Sequence, residues 1–212
     1  MAWIMHNWNE QIDGLVGIIE TMRKRANHRE LIAIAGPPGS GKTTLAKTLS
    51  DRLAHCSYLS MDGFHLDNPI LIQKGLRERK GAPETFDVAG FMHLIQRLRR
   101  KEEVYVPDFD RQTERTVNCA YPVPNHHDLV IVEGNYLLLD EPVWRDLDDY
   151  WDLAVFVQIG LETIKTRLMQ RYKAHGFDEE TSARWIESND IPNAERVLKN
   201  RVPEDVTLNV PF

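Results

Sequence analysis

The segment Gly36-Pro37-Pro38-Gly39-Ser40-Gly41-Lys42-Thr43 meets the pattern G-x-x-x-x-G-K-[ST] in full, and no other stretch of the chain carries as much chemistry. Glycines let backbone N–H groups turn inward around phosphate oxygens, and a helix that follows points its positive N-terminal end at the same anion. At this spacing Lys42 reaches the β- and γ-phosphates of a nucleoside triphosphate and the Thr43 hydroxyl ligates Mg²⁺, while Thr44 can donate to the α-phosphate region. ATP and Mg²⁺ are therefore the expected cofactors. A chance glycine-rich turn is the competing account, and the elements on either side weigh against it.

Two carboxylates stand where they could complete such a site. In Ser60-Met61-Asp62-Gly63-Phe64-His65, Asp62 follows a short apolar run and can serve as base for an acceptor hydroxyl. In Val132-Glu133-Gly134-Asn135-Tyr136, Glu133 ends another apolar run and can hold Mg²⁺ through a water. Asp128 stands at the wrong end of that run, because ligands of open α/β sheets gather at the carboxyl ends of strands. Each carboxylate has a plainer alternative: Asp62 as a turn residue before Gly63, Glu133 as a helix cap. His65 and Tyr136, close to these two ends, join the candidate acceptor contacts.

Further along, Arg167 and Arg171 are four residues apart on one helix face, where they can close over a transferring phosphoryl group; a solvated basic face is the alternative for either. Arg79, Lys80, Asp87, Asp110 and Arg111 lie in two polar loop segments and are candidate acceptor contacts, with loop salt bridges as the alternative. His126 and His127 precede a strand at its distal end and are assigned no chemistry. Asn189 and Asn193 flank Asp190-Ile191-Pro192, which reads as a helix start.

Elements able to position these residues follow from periodicity. Leu31-Ile32-Ala33-Ile34-Ala35 is an unbroken apolar run suited to a strand buried on both faces, directly before the glycine-rich turn. Leu45, Ala46, Leu49 and Leu53 make a helical stripe directly after it. Further strands are expected at Cys56–Met61, Leu129–Val132, Leu153–Ile159 and Val206–Val210, and helices at Trp8–Met22, Val88–Arg100 and Leu161–Lys173. Residues 64–87 and 104–127, rich in Pro, Gly and charge, read as loops with short irregular pieces.

The 212 residues fit one α/β domain, and 42% hydrophobic with 27% charged residues is ordinary globular composition. A net charge of −6 argues against a broad nucleic-acid surface. No stretch approaches a membrane span, Met1 to Trp8 lacks the features of a secretory signal, and Cys56 and Cys119 read as plain thiols, so the cytoplasm is the expected compartment. A small-molecule substrate is the expected partner, with neither nucleic acid nor membrane; a homodimer stays open.

Four segments carry a family resemblance: Gly36 to Thr44, Met61-Asp-Gly-Phe-His65, Arg79-Lys-Gly-Ala-Pro-Glu-Thr-Phe-Asp87 and Val106-Pro-Asp-Phe-Asp-Arg111. They resemble the uridine kinase, phosphoribulokinase and type I pantothenate kinase group of P-loop kinases. Within it the chain looks most like bacterial proteins loosely labelled fructose transport system kinases or fructokinases. The resemblance implies a P-loop NTPase three-layer α/β sandwich with a mostly parallel sheet and a helical lid. It also implies that Asp62 contacts the acceptor hydroxyl and that Glu133 ends the Walker-B strand. Phe109 and Arg111 depart from the tyrosine-bearing segments of the uridine and pantothenate kinases, so neither substrate carries over.

One kinase domain over 1–212 is expected, its core opening at 28–62, acceptor-binding insertions at 63–127 and a lid at 160–190. The expected reaction moves the γ-phosphoryl group of ATP to a hydroxyl, of a sugar first, with nucleoside or pantothenate next. A regulatory ATPase without acceptor and a non-catalytic nucleotide-binding module are the rivals. No Asn-Lys-x-Asp guanine-reading sequence points to a GTPase.

Overall fold

A computed structural model describes residues 7–210 of the chain; of the leaderless N-terminal reading, residues 1–6 lie outside the described range. The apolar run after His28 forms strand β1 (Glu30–Ala35), buried at every position. Leu31, Ala33 and Ala35 enter one apolar cluster, with Leu59, Val130 and Val132, whereas Ile32 and Ile34 enter a second, with Leu45, Leu49 and Ile131. Both faces are covered, which is why the strand shows no polar alternation.

Four more strands join it in the order β2-β5-β1-β6-β7, all parallel: β2 (Cys56–Ser60), β5 (Leu129–Gly134), β6 (Leu153–Gln158) and β7 (Val206–Asn209). These are the strands that periodicity predicts, within a residue or two. Helix α1 (Trp8–Arg23) lays Ile12, Leu15 and Ile19 on one face beside α2 (Lys42–Arg52), and α4 (Val88–Arg99) lays Phe91, Leu94, Ile95 and Leu98 on the other. Helix, sheet and helix make the three layers.

Residues 104–127 differ from expectation. They form an antiparallel hairpin, β3 (Val104–Asp110) and β4 (Arg115–Val123), rather than irregular loop. Pro107 sits where the register shifts between Val106 and Asp108, and β4 is exposed along most of its length, so neither strand shows a buried face to pattern recognition. Residues 64–87 hold a short helix, α3 (Asn68–Gln73), and two single 3₁₀ turns.

After β6 the chain forms α5 (Leu161–Ala174), then a helical rod of α6 (Glu179–Trp185), a π turn (Ile186–Asp190) and α7 (Ile191–Lys199). Asn189 thus lies inside a continuous helical path rather than before a new helix. Pro192 lacks the N–H that would bond the carbonyl four residues back, inside this segment, which accounts for the widened turn.

At the amino edge of the sheet, Arg29 is fully buried and donates to four carbonyls: Pro124 (2.7 Å), His127 (2.9 Å), Glu102 (2.9 Å) and Leu98 (3.3 Å). It ties the end of α4 and both ends of the hairpin to the sheet. Arg29→Met keeps the bulk but leaves those acceptors without their donor, so urea denaturation should show a loss of about 3 kcal/mol. Nucleotide binding by the folded fraction should be unchanged, because the opposite edge of the sheet carries the glycine-rich loop.

Candidate active site

Strand β1 runs into the loop Gly36–Gly41, and α2 starts at Lys42. Gly41, the residue before the helix, has φ 95°, a left-handed backbone that glycine adopts without strain, and no side chain caps the helix. The N–H groups of the first turn are therefore left for a ligand. Lys42 is buried, with Nζ donating to Pro37 O (2.8 Å) and Ser40 Oγ (3.3 Å). Burial pulls its ammonium down to about 8, although Glu133 and Asp62 oppose the shift.

Two close approaches bring the carboxylates to this loop. A Cβ on Gly134 would stand 2.3 Å from Met61 Sδ, and one on Gly63 would stand 2.3 Å from Pro107 O. Glycine at 134 leaves room for the Met61 side chain over the end of β5, and only glycine at 63 lets the hairpin backbone pack on the Asp62 turn. Thr43 Oγ1 donates to Glu133 Oε1 (3.1 Å), and Arg111 Nη2, from the hairpin tip, donates to Asp62 Oδ2 (2.5 Å).

Sharing one site drives the two acids apart. Burial, then the neighbouring Asp62, raises the Glu133 carboxyl, against Lys42, Ser60 and Thr43. Burial acts upward on Asp62 too, but Arg111, His65, Lys42 and Arg171 together outweigh it and hold Asp62 below the usual carboxylate range. Asp62 is thus held as a carboxylate more firmly than Glu133. The hydroxyl and carboxylate of Thr43 and Glu133 are hard oxygen donors of the kind Mg²⁺ accepts when phosphates and water complete its shell. Among the described residues there is no cluster of three or more His, Cys, Asp or Glu that would cage a metal by itself.

Around these groups opens a cleft of about 630 Å³, room for a nucleotide and a small second ligand. Arg167 and Arg171 both line it from α5, and Arg167 Nη1 donates to Gly39 O (3.3 Å) and Ser40 O (3.5 Å). His65 lines it as well: its Nδ1 donates to Asp62 O (2.8 Å), and its ring lies between Phe86 and Phe109, with centroids 4.1 and 4.5 Å away. Burial lowers the imidazole pKa, against Asp62. Tyr136 reaches the cleft wall, but it is fully buried and its hydroxyl donates to Gly81 O (2.5 Å).

Three of the acceptor candidates stand elsewhere. Asp87 is exposed and caps α4 through Gly90 N (3.0 Å). Asp110 holds the hairpin turn through Gln112 N (2.8 Å) and Thr113 Oγ1 (2.8 Å). Arg79 donates to Asn189 Oδ1 (3.2 Å) and Asn193 Oδ1 (3.4 Å), behind the cleft wall. Conversely, Arg77, Asp190 and Asn193 line the cleft although the sequence assigns them no ligand role: spacing carries no sign of the first, and the other two read as part of a helix start. Lys80 lines it too, buried, with Nζ donating to Asn68 Oδ1 (2.7 Å) and Glu114 O (2.9 Å).

Residues 31–200 match the Phosphoribulokinase / Uridine kinase family. The chain belongs to that family. It is 37% identical over 179 residues to the uncharacterized protein YggC of Escherichia coli K12, covering 81% of this chain and 74% of that one. A Schizosaccharomyces pombe protein provisionally named a uridine kinase is 32% identical over 198 residues, with 85% and 83% covered. A crystal structure from Silicibacter sp. TM1040, provisionally named a fructose transport system kinase, superposes with a TM-score of 0.88 at 39% identity, over 93% of this chain and 98% of the other. The protein is an ATP-dependent small-molecule kinase on a P-loop α/β fold.

For this kinase the depressed ammonium of Lys42 has a direct consequence. The charge that meets phosphate is present below about pH 8 and lost above it. ATP binding to the free protein, followed by tryptophan fluorescence, should therefore weaken by about 10-fold or more between pH 7 and 9.5. Lys42→Met should bind weakly at both pH values and show no such slope.

Proposed function

We propose that this kinase transfers the γ-phosphoryl group of ATP to a hydroxyl of a small polar metabolite, a sugar or sugar-like alcohol first. The observation that carries the reading is Asp62: an ionised carboxylate beside the glycine-rich loop, with Oδ2 taken by Arg111 and Oδ1 without a protein donor among the described residues. A carboxylate so placed orients an acceptor hydroxyl and receives its proton as the acceptor oxygen bonds to the γ-phosphorus and the bond to the bridging oxygen breaks, releasing ADP. Lys42, Arg167 and Arg171 neutralise charge on the moving group. Thr43 and Glu133 would hold Mg²⁺, which would supply positive charge against the phosphates.

The backbone from Gly36 to Gly41 and the helix start at Lys42 to Thr44 take the phosphates, with Pro37, Pro38 and Ser40 shaping the loop. His65, Lys80 and Arg111 border the acceptor. Residues 63–127 supply most of that border and 160–190 act as the lid, within a single kinase domain, and such an enzyme works in the cytoplasm on a soluble metabolite. Phe109, stacked on His65 and lining the cleft, also suits a nucleobase, so a nucleoside is the second acceptor class, as the name given to the S. pombe relative suggests.

ADP release measured against a panel of sugars, nucleosides and vitamin alcohols tests this. One class should stimulate turnover well above the ATP-only rate, and Asp62→Asn should lower kcat for that acceptor by about 10²- to 10⁴-fold while ATP affinity stays within twofold. Full turnover by Asp62→Asn would remove the base assignment. ATP hydrolysis that no acceptor stimulates would replace the kinase reading with a regulatory ATPase.

A further inference from the structure

Four acidic side chains line the cleft: Asp62, Glu114, Glu133 and Asp190. Three have evident work. Asp62 pairs with Arg111, Glu114 with Arg77 (3.1 Å) and Lys80 (3.7 Å), and Glu133 takes the Thr43 hydroxyl. Asp190 has no cation within 4 Å among the described residues; its one bond comes from the Tyr172 hydroxyl, which donates to Oδ2 at 2.8 Å. It stands at the start of α7, where a carboxylate would be expected to cap, yet its backbone is helical and its side chain makes no capping bond. Helix capping therefore does not explain it.

The second oxygen, Oδ1, has no protein donor among the described residues. It is also not sealed in, because every enclosed side-chain N or O atom of the described residues has a partner. Oδ1 is therefore accessible, and the residue that carries it lines the cleft. The carboxylate is also held firmly. Tyr172 fixes one oxygen from α5, and the rod on the other side is pinned by Asn189, whose Nδ2 donates to Lys80 O (2.8 Å). Asp62, Arg171, Tyr172 and Asp190 all line the same cleft, so the two carboxylates border one volume. Cations crowd that volume, which disfavours a positively charged acceptor group at Oδ1 and leaves a hydroxyl as the natural donor.

We propose that Asp190 is a specificity residue: its open oxygen accepts a hydrogen bond from a second hydroxyl of the acceptor, so this kinase selects polyhydroxylated acceptors over monohydric ones. The inference rests on the phosphotransfer reading and names the substrate class within it. A site that holds a substrate hydroxyl discriminates strongly against the analogue lacking it, because its own polar group is then left unpaired. The contact is made equally in the bound and reacting states, so its loss raises KM more than it lowers kcat.

The test is ADP release by the purified full chain with ATP and Mg²⁺, on polyols, their monodeoxy counterparts, monohydric alcohols and amino sugars. The wild type should turn over a polyol best and lose about 10²-fold in kcat/KM on one of its deoxy analogues. Asp190→Asn should raise KM for the polyol about 10-fold, hold kcat within threefold and lose most of the deoxy discrimination. Tyr172→Phe, which frees Oδ2 but keeps the carboxylate, should shift both in the same direction by less. The wild-type deoxy series stands even where a variant folds poorly. A monohydric alcohol or amino sugar as best acceptor, a KM for Asp190→Asn within twofold, or a fall in kcat alone would each overturn the proposal while leaving phosphotransfer intact. Turnover that no acceptor stimulates would instead overturn the phosphotransfer reading, and this inference with it.

Discussion

The ammonium of Lys42, enclosed by its own loop with one carbonyl and one hydroxyl for partners, is the constraint from which the rest of the site follows. A buried cation without a full counter-charge is expensive, and the protein meets part of that cost with two carboxylates and leaves the remainder to an arriving phosphate. Those carboxylates must sit at the ends of neighbouring strands on one side of the loop strand. In the order β2-β5-β1 they do, although β5 lies far from both in the chain. A parallel sheet supplies this placement because every carboxyl end falls on one edge.

Convergence at that edge depends on small residues rather than on polar ones. Gly134 lets Met61 cross the end of β5, and Gly63 lets the hairpin reach over the Asp62 turn; a methyl group at either position would collide with a neighbour at 2.3 Å. Through the second contact a chain excursion outside the sheet delivers Arg111 to Asp62. The hairpin thus supplies the largest of the charges that hold Asp62 as a carboxylate, whereas depth at the strand end dominates Glu133.

How much of this was legible in the sequence follows from which residues are buried. β1 and β5 are enclosed on both faces, so their composition alone marks them, and the glycine-rich turn between strand and helix marks the phosphate loop. The hairpin is hidden because β4 meets solvent along most of its length and prolines interrupt both of its strands. Asp87 was legible as a helix cap, since it directly precedes an apolar helical stripe, but its place inside a family-like segment favoured a ligand role. Asp190, Asn189 and Asn193 were not legible. All three sit in or beside a widened helical turn, and the two asparagines are held by contacts across more than 100 residues, from Arg79 and Lys80, that no local pattern encodes.

Asp62 and Asp190 end in the same arrangement by different routes. Each has one oxygen tied by the protein, to a guanidinium in the first case and a phenol in the second, and each leaves the other oxygen without a protein donor among the described residues. The difference lies in the tether. Arg111 brings a full charge that stabilises the carboxylate form, whereas burial dominates Asp190 and raises it to about 6, with Tyr172 and Arg171 only partly offsetting it. A group that must be ionised until it receives a proton in the reaction needs the stronger partner. One that only aligns a hydroxyl needs a fixed orientation, and a neutral phenol provides that without drawing the acceptor away from the reacting end of the cleft.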